Sequence, residues 1–177
     1  MRGHVRSMRF LCLVIVTMTA LFAVSTANAQ EATGIEIMEY GLYDVGPSLG
    51  EFAPPNMGYR HETISQATHL ETTRIVPGQV GVSFGVRYRV TGDQPRGIVP
   101  VRVVLIFPEQ GLYSLEYRDE LHVDETESLQ MLGEPTYSGI TFEEQWEIEP
   151  GIWTLQFWSG DQMLGEEHFE VITPPNS

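Results

Sequence analysis

Apolar residues recur at every second position along most of this chain, the signature of half-buried β-strands, and neither a sustained helical period nor an internal repeat competes with it. Ile35 to Tyr43 is the first predicted strand. The stretch from Asp44 to Tyr59 carries Gly46-Pro47, Gly50, Pro54-Pro55 and Gly58, which are expected to keep it out of any ladder. Thr68 to Val76 is the second strand, stopped by Pro77-Gly78. The third has the clearest pattern. Val80, Val82, Phe84, Val86, Tyr88 and Val90 share one face, and Gly81, Ser83, Gly85, Arg87 and Arg89 share the other, until Thr91-Gly92-Asp93 closes it. Ile98 to Phe107 is apolar on both faces in its middle, which predicts a place inside a sheet.

From Leu112 to Tyr137 the period is ambiguous. Its acids, Asp119, Glu120, Asp124, Glu125 and Glu127, are expected in loops or on an edge strand. Ile140, Phe142, Glu144, Trp146 and Ile148 alternate with Thr141, Glu143, Gln145, Glu147 and Glu149, predicting a strand with one acidic face. Glu149-Pro150-Gly151 turns into Ile152 to Trp158, with Trp153, Leu155 and Phe157 facing the core and Thr154, Gln156 and Trp158 facing out. Ser159 to Gln162 turns again into Met163 to Ile172, and the tail from Thr173 to Ser177 is expected to fray. About seven strands at intervals of roughly ten residues predict an all-β fold, an immunoglobulin-like antiparallel β-sandwich.

The first 29 residues change the picture. Arg2, Arg6 and Arg9 precede an apolar run from Phe10 to Val24, and Ala27-Asn28-Ala29 supplies a small-x-small cleavage pattern before Gln30. This is the layout of a cleaved secretory signal peptide, with residues 30–177 as one β-sandwich domain whose core spans about 35–172. The apolar run is short for a membrane span of about 20 residues, so no integral membrane protein is expected after cleavage. The sole cysteine, Cys12, lies in this segment. The mature chain therefore has no disulfide, no thiol chemistry and no cysteine-ligated metal. Buried aromatics such as Trp146 and Trp153 are expected to supply the packing a disulfide gives elsewhere. Cleavage removes three of the ten arginines and none of the 24 acids; the chain has no lysine, so a formal charge of −17 remains. That charge argues against nucleic acid or an anionic membrane face as a partner.

Glu39-Tyr40-Gly41-Leu42-Tyr43, Thr72-Thr73-Arg74-Ile75-Val76-Pro77, Gly81 to Tyr88, Glu149-Pro150-Gly151-Ile152-Trp153-Thr154 and Gly160-Asp161-Gln162-Met163-Leu164 with Phe169 and Val171 form an ordered set. In order and spacing, from about Ile37 to Ile172, it resembles a bacterial family known only as domain of unknown function 3859. Ile152 and Gln162 depart from the pattern, standing where an acidic and a basic residue are common. The resemblance implies an exported, compact β domain. It implies no activity, ligand or catalytic residue.

The remaining chemistry reads thinly. His61, His69, His122 and His168 show no i+2 or i+4 pairing, so no local metal motif forms, although His69 and His168 could meet across strands. Ser83 lies in a strand and Ser138 lacks the flanking glycine of a nucleophile elbow. Glu143/Glu144, Glu147/Glu149 and Glu166/Glu167 supply paired carboxylates, which a solvated acidic face explains without a glycosidase-type site. The acids from Asp119 to Glu127 lack the ordered loop of a Ca²⁺ site. No catalytic, cofactor-binding or metal residue is assigned, and no cofactor is expected. Arg87 and Arg89, with Arg102 on a neighbouring strand, suit cross-strand pairing with glutamates or recognition of a carboxylate or sulfate. Trp158, with Gln156 and Thr154, is the candidate surface for a protein or sugar. The sequence thus predicts a periplasmic or secreted, non-enzymatic interaction or accessory module whose partner is an unidentified envelope protein or glycan. The alternative is a carbohydrate- or small-ligand-binding domain using Trp158, Tyr59 or Phe52; a carboxylate hydrolase is the third reading.

Overall fold

A computed structural model describes residues 31–52, 61–64, 66–114 and 119–173. Nine strands form two main sheets. The first has the order β11 (Pro135–Thr141), β6 (Ser83–Gly92), β1 (Ala32–Val45), β4 (Ala67–Glu71). The second has the order β10 (Val123–Met131), β7 (Ile98–Ile106), β12 (Gly151–Ser159), β13 (Gln162–Ile172), β5 (Ile75–Pro77). Pairing is antiparallel except between β5 and β13. Two short hairpins, β2 (Ser48–Phe52) with β3 (His61–Ile64) and β8 (Leu112–Ser114) with β9 (Asp119–Leu121), complete the ladders.

The two sheets pack face to face, and the period-two alternation states why. Phe84, Val86, Tyr88 and Val90 of β6, Val99 and Val101 of β7, Trp153, Leu155 and Phe157 of β12 and Phe169 and Val171 of β13 all point into one buried core. Ile98 to Phe107 takes the predicted interior place, between β10 and β12. Trp153 is the hub. Its ring meets Phe107, Phe142 and Phe84 nearly edge-on at centroid distances of 5.2, 5.5 and 5.9 Å, the arrangement that puts ring edges on ring faces. Its indole N–H donates to the Glu149 carbonyl at 2.8 Å, so the burial leaves no polar atom stranded.

Four expectations are corrected. Thr68 to Val76 is two strands: β4 belongs to the first sheet and β5 to the second. The break comes at Thr72-Thr73-Arg74, where the Ile75 N–H donates to Thr73 Oγ1 at 3.0 Å, a local bond that competes with a ladder. Arg74 fixes the crossing. Its guanidinium holds Glu167 of β13 at 2.6 and 3.2 Å and lies 4.0 Å from the Tyr40 ring of β1. The Glu167 side chain is 8% exposed and that of Arg74 51%, so this clamp sits at the rim of the core. The hydrogen bond to Glu167 raises the guanidinium pKa further.

The strand expected from Ile140 to Ile148 ends at Thr141, and a 3-10 turn occupies Gln145–Glu147. The Glu143 and Glu144 amides both donate to Glu147 Oε2, at 2.5 and 2.9 Å. A carboxylate that satisfies two backbone donors at once curls the chain and removes the acidic strand face. Trp146 is accordingly half-buried, its indole bonded to Glu144, and Phe142 takes the core place expected of it. The third strand begins at Ser83, leaving Val80 exposed and Val82 partly buried, because Gly81 turns the chain through a φ of +88°. Gly50 does join a ladder, paired with Thr63, since its φ of +158° is extended backbone; residues 53–60, with Pro54-Pro55 and Gly58, lie outside the described residues. So do residues 1–30, which include the expected signal segment, and the tail from Pro174.

Candidate functional site

The outer face of the five-stranded sheet carries a chain of side-chain contacts across four strands. β12 presents Thr154, Gln156 and Trp158 outward, as its alternation predicts. The Trp158 indole N–H donates to Gln156 Oε1 at 3.1 Å, and Gln156 Nε2 donates to Glu166 Oε2 at 3.2 Å. Glu166 Oε1 lies 3.3 Å from His168 Nε2, and His168 Nδ1 lies 2.9 Å from Thr154 Oγ1. On the other side the Arg102 guanidinium sits 5.7 Å from the Trp158 ring centre and donates to Glu125 at 3.0 Å. Register makes this possible: Gln156 faces Glu166, Thr154 faces His168, and Trp158 has Arg102 and Met163 as its two neighbours. Trp158 is half-buried with its polar edge satisfied. Thr154 faces out as expected and is nevertheless buried.

Beside Trp158 lies an apolar strip. Leu129, Met131 and Ile98 are 73, 59 and 59% exposed. Leu129 pairs with Pro100 and Met131 with Ile98, so the four side chains share one outward face at the end of β10 and β7. Met163 carries the strip past Trp158 onto β13. Large aliphatic side chains standing together on an outer face are informative in a way that single exposed ones are not.

Arg87 and Arg89 stand on the outer face of the other sheet, and the fold does not bring them to Trp158 and Gln156. Arg87 donates to Glu39 at 2.9 Å and to the Ala67 carbonyl at 2.5 Å; Arg89 holds Glu36 at 2.7 Å. Both are cross-strand ion pairs. Arg102 is not on a strand next to β6 but in the second sheet. His69 and His168 likewise belong to different sheets; His69 Nε2 lies 3.0 Å from the Tyr40 carbonyl. Among the described residues no group of three His, Cys, Asp or Glu could hold a metal ion. Ser83 is buried against Thr141, their hydroxyls 2.8 Å apart. Glu143, Glu147 and Glu149 share no strand face. Tyr59 and the side chain of Phe52 lie outside the described residues.

Sequence reasoning missed an aromatic group over the first sheet. Gly41, Gly85 and Gly139 form one row across β1, β6 and β11. Tyr137 lies back over Gly139, where a Cβ would come 2.1 Å from its hydroxyl. The Tyr43 ring meets Tyr137 at a tilt, 4.7 Å between centroids, and His69 edge-on at 5.2 Å. The Tyr137 ring thus covers Gly139, an arrangement that stabilises a sheet where a side chain is missing, while backbone closes over Gly41 and Gly85. The Tyr43 hydroxyl is buried without a hydrogen-bond partner. Burial pushes its pKa up to about 12, with Glu39 adding and Arg87 opposing. Burial also raises Tyr137 and, in the core, Tyr88. The Tyr137-x-Gly139 spacing is the one trace of this group in the sequence.

Among the described residues no helix is long and apolar enough to cross a membrane. The chain is similar to an immunoglobulin-like protein from Pseudomonas aeruginosa, with a TM-score of 0.53 and 25% identity over 78% of this chain and 96% of that one. This agrees with the immunoglobulin-like sandwich expected from the strand pattern. No curated protein matches the chain. Residues 32–171 match the family described as Domain of unknown function (DUF3859), nearly the stretch over which the ordered segments resemble it, and the chain belongs to that family.

Proposed function

We propose that this protein is an exported, non-enzymatic interaction module of the cell envelope, and that it docks a protein partner on the outer face of its five-stranded sheet. The observation that carries the reading is the strip of Leu129, Met131, Ile98 and Pro100 beside Trp158. Exposed aliphatic side chains grouped around a half-buried tryptophan suit the anchor positions of a protein interface. The immunoglobulin-like fold and the family fit a non-enzyme. Export rests on the arginine-led apolar run and the Ala27-Asn28-Ala29 pattern. A glycan reading would use the Trp158 ring with Gln156 and Arg102. The aliphatic majority of the strip offers sugar hydroxyls no hydrogen bonds, so the protein reading is the stronger.

A photo-crosslinking residue placed at Leu129, and at Leu70 on β4 as the control, tests this in intact cells of the native host. Leu129 should capture a protein and Leu70 should not. Equal capture at both, or none at Leu129, overturns the reading. Mass spectrometry of the envelope fraction should find a chain beginning at Gln30; a chain retaining Phe10 to Val24 overturns cleavage.

A further inference from the structure

Past Met131 the chain leaves β10. The next residue, Leu132, is buried and lines a depression of about 250 Å³ at the end of β6, beside the turn that follows the strip. Val90, Pro95, Leu132 and Gly133 line it together with Thr91 and Gln94, and the Glu36–Arg89 ion pair stands at its rim. The volume falls below the roughly 300–1,000 Å³ of drug-sized ligand sites. It suits a single large side chain of a polypeptide lying along the strip.

The charge around this end is one-sided. The segments that flank the strip and the depression carry the exposed acids Glu31, Asp93, Glu134 and Asp161, and Glu127 stands in the strip's own face opposite Arg102. Two nearby arginines are already engaged, Arg89 by Glu36 and Arg102 by Glu125. Arg96, in the turn before β7, is engaged as well. A second copy of this chain would set acids against acids, on a molecule already far from neutral. A partner with cations beside its apolar anchors would meet a complementary rim, which steers encounter and excludes wrong partners.

Building on the docking reading above, we infer that the occupant of this surface is a polypeptide segment in which apolar anchors are flanked by Arg or Lys, one anchor entering the depression behind Leu132. Sequencing the peptide crosslinked at Leu129 or Met131 reads its composition directly. The captured peptide should carry a net positive charge around the attachment point. Asp161→Lys, on an exposed turn, should lower the crosslinked yield by about fivefold or more, and Glu127→Gln by a smaller factor in the same direction. Yield should fall as NaCl is raised, because rim electrostatics are screened. An adduct with a neutral or acidic peptide, or with a second copy of this chain, overturns the inferred chemistry while leaving the docking surface in place. So does a yield that neither charge change nor salt alters, with both variants melting like the parent. Absence of any adduct at Leu129 overturns the docking reading and this inference together.

Discussion

Trp153 shows how much one side chain settles here. It is fully buried at the meeting point of Phe84, Phe107 and Phe142, with its one polar atom satisfied. Truncating a large buried aromatic leaves a void that rigid neighbours fill poorly. Trp153→Ala should therefore cost about 3–5 kcal/mol in chemical denaturation, and a change below about 1 kcal/mol would mean that the ring is not a core residue. The tyrosines give an independent readout. An unfolded phenol ionises near pH 10, whereas Tyr43 in the fold does so at about 12. Between those values the unfolded chain loses the Tyr43 proton and the folded one keeps it. Stability from this group is thus complete below pH 10 and drains away as pH rises through 12. Tyr88 and Tyr137 act in the same direction. Unfolding followed by circular dichroism should coincide with the growth of phenolate absorbance from these three rings; phenolate absorbance complete before the fold is lost would contradict their burial.

At Gly41 two strands come so close that a side chain has no room. Its φ is +131° and an added Cβ would lie 1.9 Å from the Glu71 carbonyl oxygen at the end of β4. Gly41→Ala should separate β4 from β1 and cost roughly 3 kcal/mol or more, combining strain with overpacking. Hydrogen exchange should locate the loss at Ala67–Glu71; uniform protection would mean the crossing is looser than described. Strands buried on one face were legible in the sequence, because the pleat writes that face as alternating apolar residues: β6, β7, β12 and β13 appear nearly as read. The switch between sheets was not, since the stretch from Thr68 to Val76 runs through Arg74 without a proline or glycine to mark a break. The turn at Glu147 was hidden for a related reason. A carboxylate that caps backbone amides looks, in sequence, like one more acid on a polar face. Trp158 and Gln156 could be placed outward from the Pro150-Gly151 turn alone. Their partners Arg102, Glu166 and His168 come from other strands, and only register joins them. The apolar strip was invisible because Leu129, Met131 and Ile98 repeat with the same period as core residues, and only pairing tells which face they take.

The molecule as a whole is held against its own charge. Arg74, Arg87, Arg89 and Arg102 each have a carboxylate partner, yet such partly exposed pairs contribute only about 0–1 kcal/mol apiece. The acids far outnumber them. Screening acts over about 10 Å at 0.1 M salt, so the melting temperature should rise as NaCl goes from roughly 10 to 300 mM. Glu127→Gln with Glu134→Gln should shrink that rise; Glu147 is unsuited to the test because its carboxylate holds two backbone amides. A melting temperature that falls with salt would mean the ion pairs outweigh the repulsion. The position of β13 has a different consequence. The last of the described strands in chain order lies inside the second sheet, between β12 and β5, and brings Leu164, Phe169 and Val171 to the core. A nascent chain stopped short of Gln162 leaves β5 without a neighbour and the core open along one side. The sandwich therefore cannot close until β13 has left the ribosome. For a chain that we propose is exported, this delay is itself useful, because it keeps the polypeptide threadable during the interval in which a translocation channel must engage it.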